Sequence, residues 1–162
     1  MNMEFRRKLP GPEEVIQMYP VSEESKRQKA KNDEEIRKIF TGESDKLLLV
    51  IGPCSADRED AVLDYISRLR PLQEKVQDKI VIVPRIYTNK PRTTGIGYKG
   101  MLHQPDPTKG PNILAGIEAL RKMHIRSIKE THLTAADEML YPENYAFLHD
   151  ILSYVAIGAR SV

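Results

Sequence analysis

Apolar residues in this chain fall into two kinds of run, and the alternation between them predicts the fold. Lys46-Leu-Leu-Leu-Val-Ile-Gly-Pro-Cys-Ser55 contains a continuous apolar stretch stopped by Gly-Pro, the pattern of a strand buried on both faces. Ile80 to Tyr87 repeats it, although Pro84 sits awkwardly there because proline cannot donate to a ladder. Leu133 to Leu140 reads as a third strand and Ala156 to Val162 as a fourth. Between them the apolar positions take helical spacing. Asp57 to Gln77 carries Val62, Ile66, Leu69 and Val76 near one face, with Pro71 expected to kink it. Asn112 to Glu130 carries Ile113, Ile117, Leu120, His124 and Ile128. Pro142 in a first-turn position predicts a third core helix through Tyr145, Leu148, Leu152 and Val155.

Ahead of the first strand the pattern thins. Pro10, Gly11, Pro12 and Pro20 bracket a short helical segment, which reads as an arm rather than a core element. Ser22 is a ready N-cap, Glu23 and Glu24 follow it, and no glycine or proline intervenes before Gly42, so a helix is expected between them. Its few apolar residues (Ala30, Ile36, Ile39, Phe40) suit an interface or a lid. The expected organisation is an arm and helix over 1–45, then β-α-β-α-β-α-β over 46–162. That order makes an α/β protein with parallel strands and helical crossovers. In such folds ligands sit at the C-terminal ends of strands. Those ends carry Cys54, Arg85, Glu138 and Arg160, one from each strand.

Composition changes this picture little. With 162 residues, 40% hydrophobic and 30% charged, one domain is the expectation. A net charge of +2 is too small to imply nucleic-acid or membrane binding by field alone, no run reaches membrane-spanning length, and the start of the chain has no secretory pattern. A single cysteine excludes an internal disulfide, so a cytoplasmic protein is expected.

Where the charge sits matters more. From Arg85 to Lys109 the basic residues are Arg85, Lys90, Arg92, Lys99 and Lys109, and the one acid is Asp106. Arginine forks, a lysine point charge, threonine hydroxyls and glycine backbone suit an anion. The competing reading is a solvated basic loop. Gly95-Ile-Gly-Tyr-Lys-Gly100 has the letters of a dinucleotide fingerprint, but it lies far past its strand and no helix is expected after it. Cys54 is either a small buried hydrophobe or a site thiol. The four histidines lack zinc-type spacing, and His124 and His149 fall on predicted helices, where packed or solvated roles are ordinary. Glu138 could hold a cation or cap a helix, and Arg160 could meet a phosphate or solvent.

Leu49-Val-Ile-Gly-Pro-Cys-Ser55, Arg85-Ile-Tyr87, Lys90-Pro-Arg-Thr-Thr94, Gly97-Tyr-Lys-Gly100 and Ala156-Ile-Gly-Ala-Arg160 together resemble the class I 3-deoxy-D-arabino-heptulosonate 7-phosphate (DAHP) synthases, in the family's order and over nearly the whole chain. The resemblance implies the first half of a (β/α)8 TIM barrel with an N-terminal helical arm. It implies condensation of phosphoenolpyruvate with erythrose 4-phosphate and water to DAHP and phosphate, the first step of the shikimate pathway to aromatic amino acids. By the same likeness Cys54 would be a ligand of a divalent metal (Mn, Fe, Co or Zn class). Arg85, Glu138, Ala159 and Arg160 would belong to the phosphoenolpyruvate pocket. Lys90 would be the catalytic lysine between the two substrates, while Pro91, Arg92 and Thr93 would hold erythrose 4-phosphate.

A complete barrel of this kind takes about 250 residues. The family's other metal ligands come from later strands, so the 162-residue chain is expected to hold no catalytic metal and to be inactive by itself. Open strand edges predict a homo-oligomer or pairing with another chain. A non-catalytic anion-binding or complementing half-barrel is the alternative. The connection from Glu138 to Pro142 is shorter than in many relatives, where this region helps bind the inhibiting amino acid.

Overall fold

The computed structural model describes residues 8–90 and 96–157. Pro91, Arg92, Thr93, Ala159 and Arg160 therefore lie outside the described residues, as does the end of the predicted fourth strand. The elements follow in the order α1 (Pro12–Met18), α2 (Glu23–Phe40), β1 (Leu47–Ile51), α3 (Glu59–Val76), β2 (Ile80–Pro84), α4 (Ile113–Thr131), β3 (Ala136–Met139), a 3-10 helix (Pro142–Phe147) and β4 (Tyr154–Ile157). Ser22 caps α2 by accepting from the Ser25 N–H, and Asn112 caps α4 by accepting from Ala115. Gly42 follows α2 at φ 73°, the left-handed C-terminal stop its position predicted. α3 is continuous through Pro71.

β1 pairs in parallel with β2 and β3 in parallel with β4. A parallel bridge, Arg85 with Ala136, links the two pairs, with the Ile86 N–H donating to the Ala136 carbonyl at 2.8 Å. The four strands thus run side by side in chain order. Leu49, Ile51, Ile80 and Ile82 face α3 and α4 in the main core, with Ile66, Leu69, Ile117, Leu120 and Met123. The alternate positions Leu48, Val50, Val81, Val83, Ala136, Tyr154 and Ala156 gather on the opposite, inward face with Ile36 of α2. α2 crosses the N-terminal ends of the strands: Lys46 pairs with Glu35, Asn32 Nδ2 donates to the His132 carbonyl and Thr134 Oγ1, and Ser153 Oγ bonds Asp33.

Pro84 fits because of the edge it faces. Along a strand, N–H groups alternate between edges. The Arg85 N–H points to β1 and bonds the Ile51 carbonyl, whereas those of Ile82 and Ile86 point the other way. On that edge the Gln73 carboxamide of α3 stands in for a strand, accepting from Ile82 and donating to the Ile80 carbonyl at 2.9 Å. The missing N–H of Pro84 falls on that edge between this surrogate and Ala136, where β3 begins, so no rung of a strand ladder is lost.

Three expectations are corrected. β2 stops at Pro84, with Arg85 only bridged, rather than running to Tyr87. The N-terminal segment is not a loose arm, since Val15 is fully buried in the main core. The third core helix is a six-residue 3-10 helix, and Val155, predicted on it, lies in β4. Arg121, wholly buried, supplies the reason. Its Nη1 donates to the Phe147 carbonyl at 3.0 Å, the acceptor an α-helix would offer to Ile151. The Ile151 N–H turns instead to Leu148, and Leu148, Ile151 and Leu152 pack on Val21 and Met139.

Candidate functional site

The C-terminal ends of β1, β2 and β3 bring four of the predicted residues together, Cys54, Arg85, Lys90 and Glu138. After β1 the chain turns through Gly52-Pro53 to Cys54. Gly52 runs so close to Arg85 that a Cβ on it would lie 2.7 Å from the Arg85 carbonyl oxygen and 2.8 Å from its Cβ. The Ala56 N–H bonds the Tyr87 carbonyl at 2.8 Å, which fixes the other side of the cysteine. Cys54 itself is exposed. Lys90 Nζ lies 3.4 Å from its sulfur and 3.5 Å from Glu138 Oε2, so one ammonium joins the ends of all three strands.

Arg85 reaches the same place through Tyr87. Its guanidinium carbon sits 4.1 Å from the ring centroid and Lys90 Nζ 5.5 Å from it, so both cations share one aromatic ring. Burial pushes the Tyr87 hydroxyl above the usual phenol range, outweighing the pull of the adjacent Arg85 charge, so the ring stays neutral. Arg85 Nε and Glu138 Oε2 are buried and lack a hydrogen-bond partner among the described residues. Buried polar atoms are ordinarily satisfied, so a guanidinium donor left over close to the Lys90 ammonium leaves capacity for an acceptor from outside the chain.

As a metal site the described residues fall short. Among them no three His, Cys, Asp or Glu side chains cluster so as to hold an ion. Cys54 offers one sulfur, and the Glu138 carboxylate is tied to Lys90. One donor does not make a divalent site.

The loop beyond Lys90 is partly a core element. Met101 and Leu102 are buried, and Gln104 braces the turn by accepting from the Lys99 N–H and donating to the Lys109 carbonyl. Residues 101–103 form a turn after Gly100, so no helix stands where a dinucleotide fingerprint needs one.

Sequence reasoning passed over the residues behind the charged ones. Asp137, Thr88, Asn89 and His124 form a buried network at the base of the site, with Asp137 Oδ2 3.2 Å from His124 Nε2. The signal lay in plain adjacency: Thr88 and Asn89 precede Lys90, and Asp137 precedes Glu138.

The sequence model of the DAHP synthetase I family matches residues 18–162. The chain is 37% identical over 158 residues to the Phe-sensitive phospho-2-dehydro-3-deoxyheptonate aldolase of Escherichia coli K12, covering 98% of this chain and 44% of that protein. It is 36% identical over 150 residues to the aldolase of that name from Haemophilus influenzae, covering 93% of this chain and 41% of that one. A solved structure of the Francisella tularensis phospho-2-dehydro-3-deoxyheptonate aldolase superposes with a TM-score of 0.87 at 31% identity, covering 99% of this chain and 46% of that one. The chain thus spans less than half the length of these relatives.

Proposed function

The chain belongs to the DAHP synthetase I family, and on that premise we propose that it supplies the first four strands of a 3-deoxy-7-phosphoheptulonate synthase, carrying part of the site that joins phosphoenolpyruvate to erythrose 4-phosphate. The observation that carries this is the buried Arg85 Nε, without an acceptor among the described residues, beside Lys90 on a shared tyrosine ring.

The chemistry explains why cations gather there. The enol carbon of phosphoenolpyruvate attacks the aldehyde of erythrose 4-phosphate, water adds to the resulting cation, and phosphate leaves. Two phosphorylated anions must first be brought into contact. At about 6 Å and an effective dielectric of about 20, each pair of like unit charges repels by about 3 kcal/mol. Arg85 offsets the charge of phosphoenolpyruvate with a fork that fits carboxylate or phosphate. Lys90, aimed by Glu138, stands between the substrates, and Glu138, Ala159 and Arg160 complete the phosphoenolpyruvate pocket. Pro91, Arg92 and Thr93 hold erythrose 4-phosphate. In the complete enzyme Cys54 contributes one ligand to a divalent metal whose other ligands come from outside these residues. The reaction belongs to the cytoplasm.

A second component follows from the exposed strand faces. Leu47 of β1 is 62% exposed and Ile157 of β4 74%, so the outermost strands offer apolar surface and open edges to a partner. We therefore expect the chain to pair with itself or with a complementing half-barrel, and to turn over nothing alone.

Two measurements test this. Calorimetric titration of the chain with phosphoenolpyruvate should show weak, salt-sensitive binding that Arg85→Ala weakens at least tenfold; binding indifferent to that change removes the assignment. Phosphate release from both substrates with Mn²⁺ present should be absent for the chain alone, and turnover there refutes the requirement for a partner.

A further inference from the structure

The deepest polar group at the site is Asp137, with no exposed surface at all. Its Oδ1 accepts from the backbone N–H of Thr88 at 2.8 Å and of Glu138 at 2.7 Å. Its Oδ2 accepts from the Thr88 hydroxyl and meets Asn89 Nδ2 at 3.4 Å and His124 Nε2 at 3.2 Å. Asn89 in turn accepts from Asn144 Nδ2 at 2.8 Å, which ties the 3-10 helix to the same point.

Pairing of β2 with β3 explains the arrangement. The bridge at Arg85 and Ala136, with the Ile86–Ala136 hydrogen bond, is where backbone contact between these strands ends. The next N–H on that edge belongs to Thr88, and the Asp137 carboxylate receives it in place of a strand carbonyl. Burying a carboxylate is costly unless donors surround it, and here two backbone N–H groups, a hydroxyl and an amide do. An apolar residue could fill the space, but it could not join the segment before Lys90 to the backbone of Glu138. Both oxygens of the Asp137 carboxylate are satisfied, which favours a single geometry around it, while His124 Nδ1 has no partner among the described residues. Catalytic groups need that geometry held within about 0.5 Å.

We propose that Asp137, acting with Thr88 and His124, is a positioning residue: it latches the end of β2 to the end of β3 and thereby holds Lys90 against both Cys54 and Glu138. Its catalytic consequence rests on the reading of the site given above, but its structural content does not.

The test uses a probe of the Lys90–Cys54 pair. o-Phthalaldehyde joins an adjacent amine and thiol into a fluorescent isoindole with loss of two waters. Cys54 is the chain's one cysteine, so the signal reports which lysine lies beside it. The chain should form the isoindole readily and Lys90→Met should abolish it. Asp137→Asn should slow it at least fivefold at a temperature where circular dichroism shows the variant folded. A folded Asp137→Asn chain reacting at the parent rate, even with a lower melting temperature, would mean the carboxylate is merely structural and would overturn the proposal. Should that variant not fold, Thr88→Val should slow the reaction at least twofold while Thr88→Ser keeps the parent rate; equal rates for all three refute the latch. Protection of the parent chain by phosphoenolpyruvate reads the anion site separately. Failed protection counts against that assignment, and an unchanged variant rate counts against Asp137.

Discussion

Asp150→Ala should be among the most damaging single substitutions in the chain, although Asp150 is not one of the candidate site residues. Arg121 is completely buried on α4 and spends its donors on three elements: Nε on the Tyr19 carbonyl at 2.7 Å, Nη1 on the Phe147 carbonyl, and both terminal nitrogens on Asp150 at 2.7 and 2.8 Å. Removing the carboxylate strands a buried guanidinium, which in comparable cases costs about 3–5 kcal/mol. The Asp150 side chain is 24% exposed, so water can replace part of what is lost. That argues for the lower end, about 3 kcal/mol. With a urea dependence of about 2 kcal/mol per molar, the unfolding midpoint should fall by about 1.5 M.

The pH dependence supplies an independent check. Burial pushes the Asp150 carboxyl up, but the hydrogen bonds and charge of Arg121 outweigh it and hold the group below the ordinary carboxylate range. A carboxyl with a depressed folded-state pKa contributes stability that is present above its unfolded value, near 3.9, and is lost as pH falls through the folded value. The gap between parent and Asp150→Ala should therefore be full at pH 6 and shrink below about pH 4. Urea titrations at both pH values decide the matter. A midpoint shift under about 0.5 M at pH 6, or a gap that widens in acid, would show that Arg121 is satisfied without Asp150.

Three other substitutions probe the framework. Gly116→Ala would put a Cβ 1.7 Å from the Leu102 carbonyl oxygen, a clash with backbone that should destabilise by at least about 3 kcal/mol in thermal melts. Gln73→Leu removes the surrogate strand and leaves the Ile80 carbonyl and Ile82 N–H without their partner, costing about 1–3 kcal/mol. Exchange of the Ile82 amide should accelerate at least tenfold, while amides on the β1 edge change with global stability only. Gly52→Ala puts a Cβ 2.7 Å from the Arg85 carbonyl oxygen and 2.9 Å from its nitrogen, so the Arg85 backbone must shift; under conditions where circular dichroism shows the variant folded, phosphoenolpyruvate binding by calorimetry should weaken at least tenfold, and unchanged affinity would uncouple Gly52 from the site.

Much of this was legible in the chain itself. Continuous apolar runs located β1 and β2, the Ser22 cap marked the start of α2, and the strand-end residues Cys54, Arg85 and Glu138 lie together with Lys90 of the basic loop, while Arg160 falls outside the described residues. What escaped depended on long-range side-chain competition for backbone groups. Helical spacing through Tyr145, Leu148, Leu152 and Val155 was real, but Arg121, many residues earlier, takes the carbonyl that helix required. Pro84 looked awkward only because the partner on its edge, Gln73, comes from a helix and not from a strand. His124 fitted an apolar stripe, and nothing local revealed that Asp137 waits beneath it.

These substitutions for backbone pairing share a cause. The strands are short, four or five residues each, and β2 and β3 meet at a single bridge. Backbone alone cannot align their ends. Gln73 settles the β2 edge before the bridge and Asp137 settles it after, one on the helix side of the framework and one beneath the site. The helix-side core of Ile66, Leu69, Ile117 and Leu120 is buried without any further element. Strand residues are partly covered on both faces, Leu49, Ile51 and Ile80 on the helix side and Leu48, Val50, Val81, Tyr154 and Ala156 on the inward side, but the helix side has α3 and α4 packed over it whereas the inward cluster has Ile36 of α2. Folding of the strand–helix layer should thus precede and survive loss of any partner on the inward face, while a partner chiefly affects what the strand ends can bind. If so, hydrogen exchange of α3 and α4 should be indifferent to self-association, and protection gained on association should concentrate in β1 and β4. Uniform protection across both layers would instead mean that the inward face is needed for the fold itself.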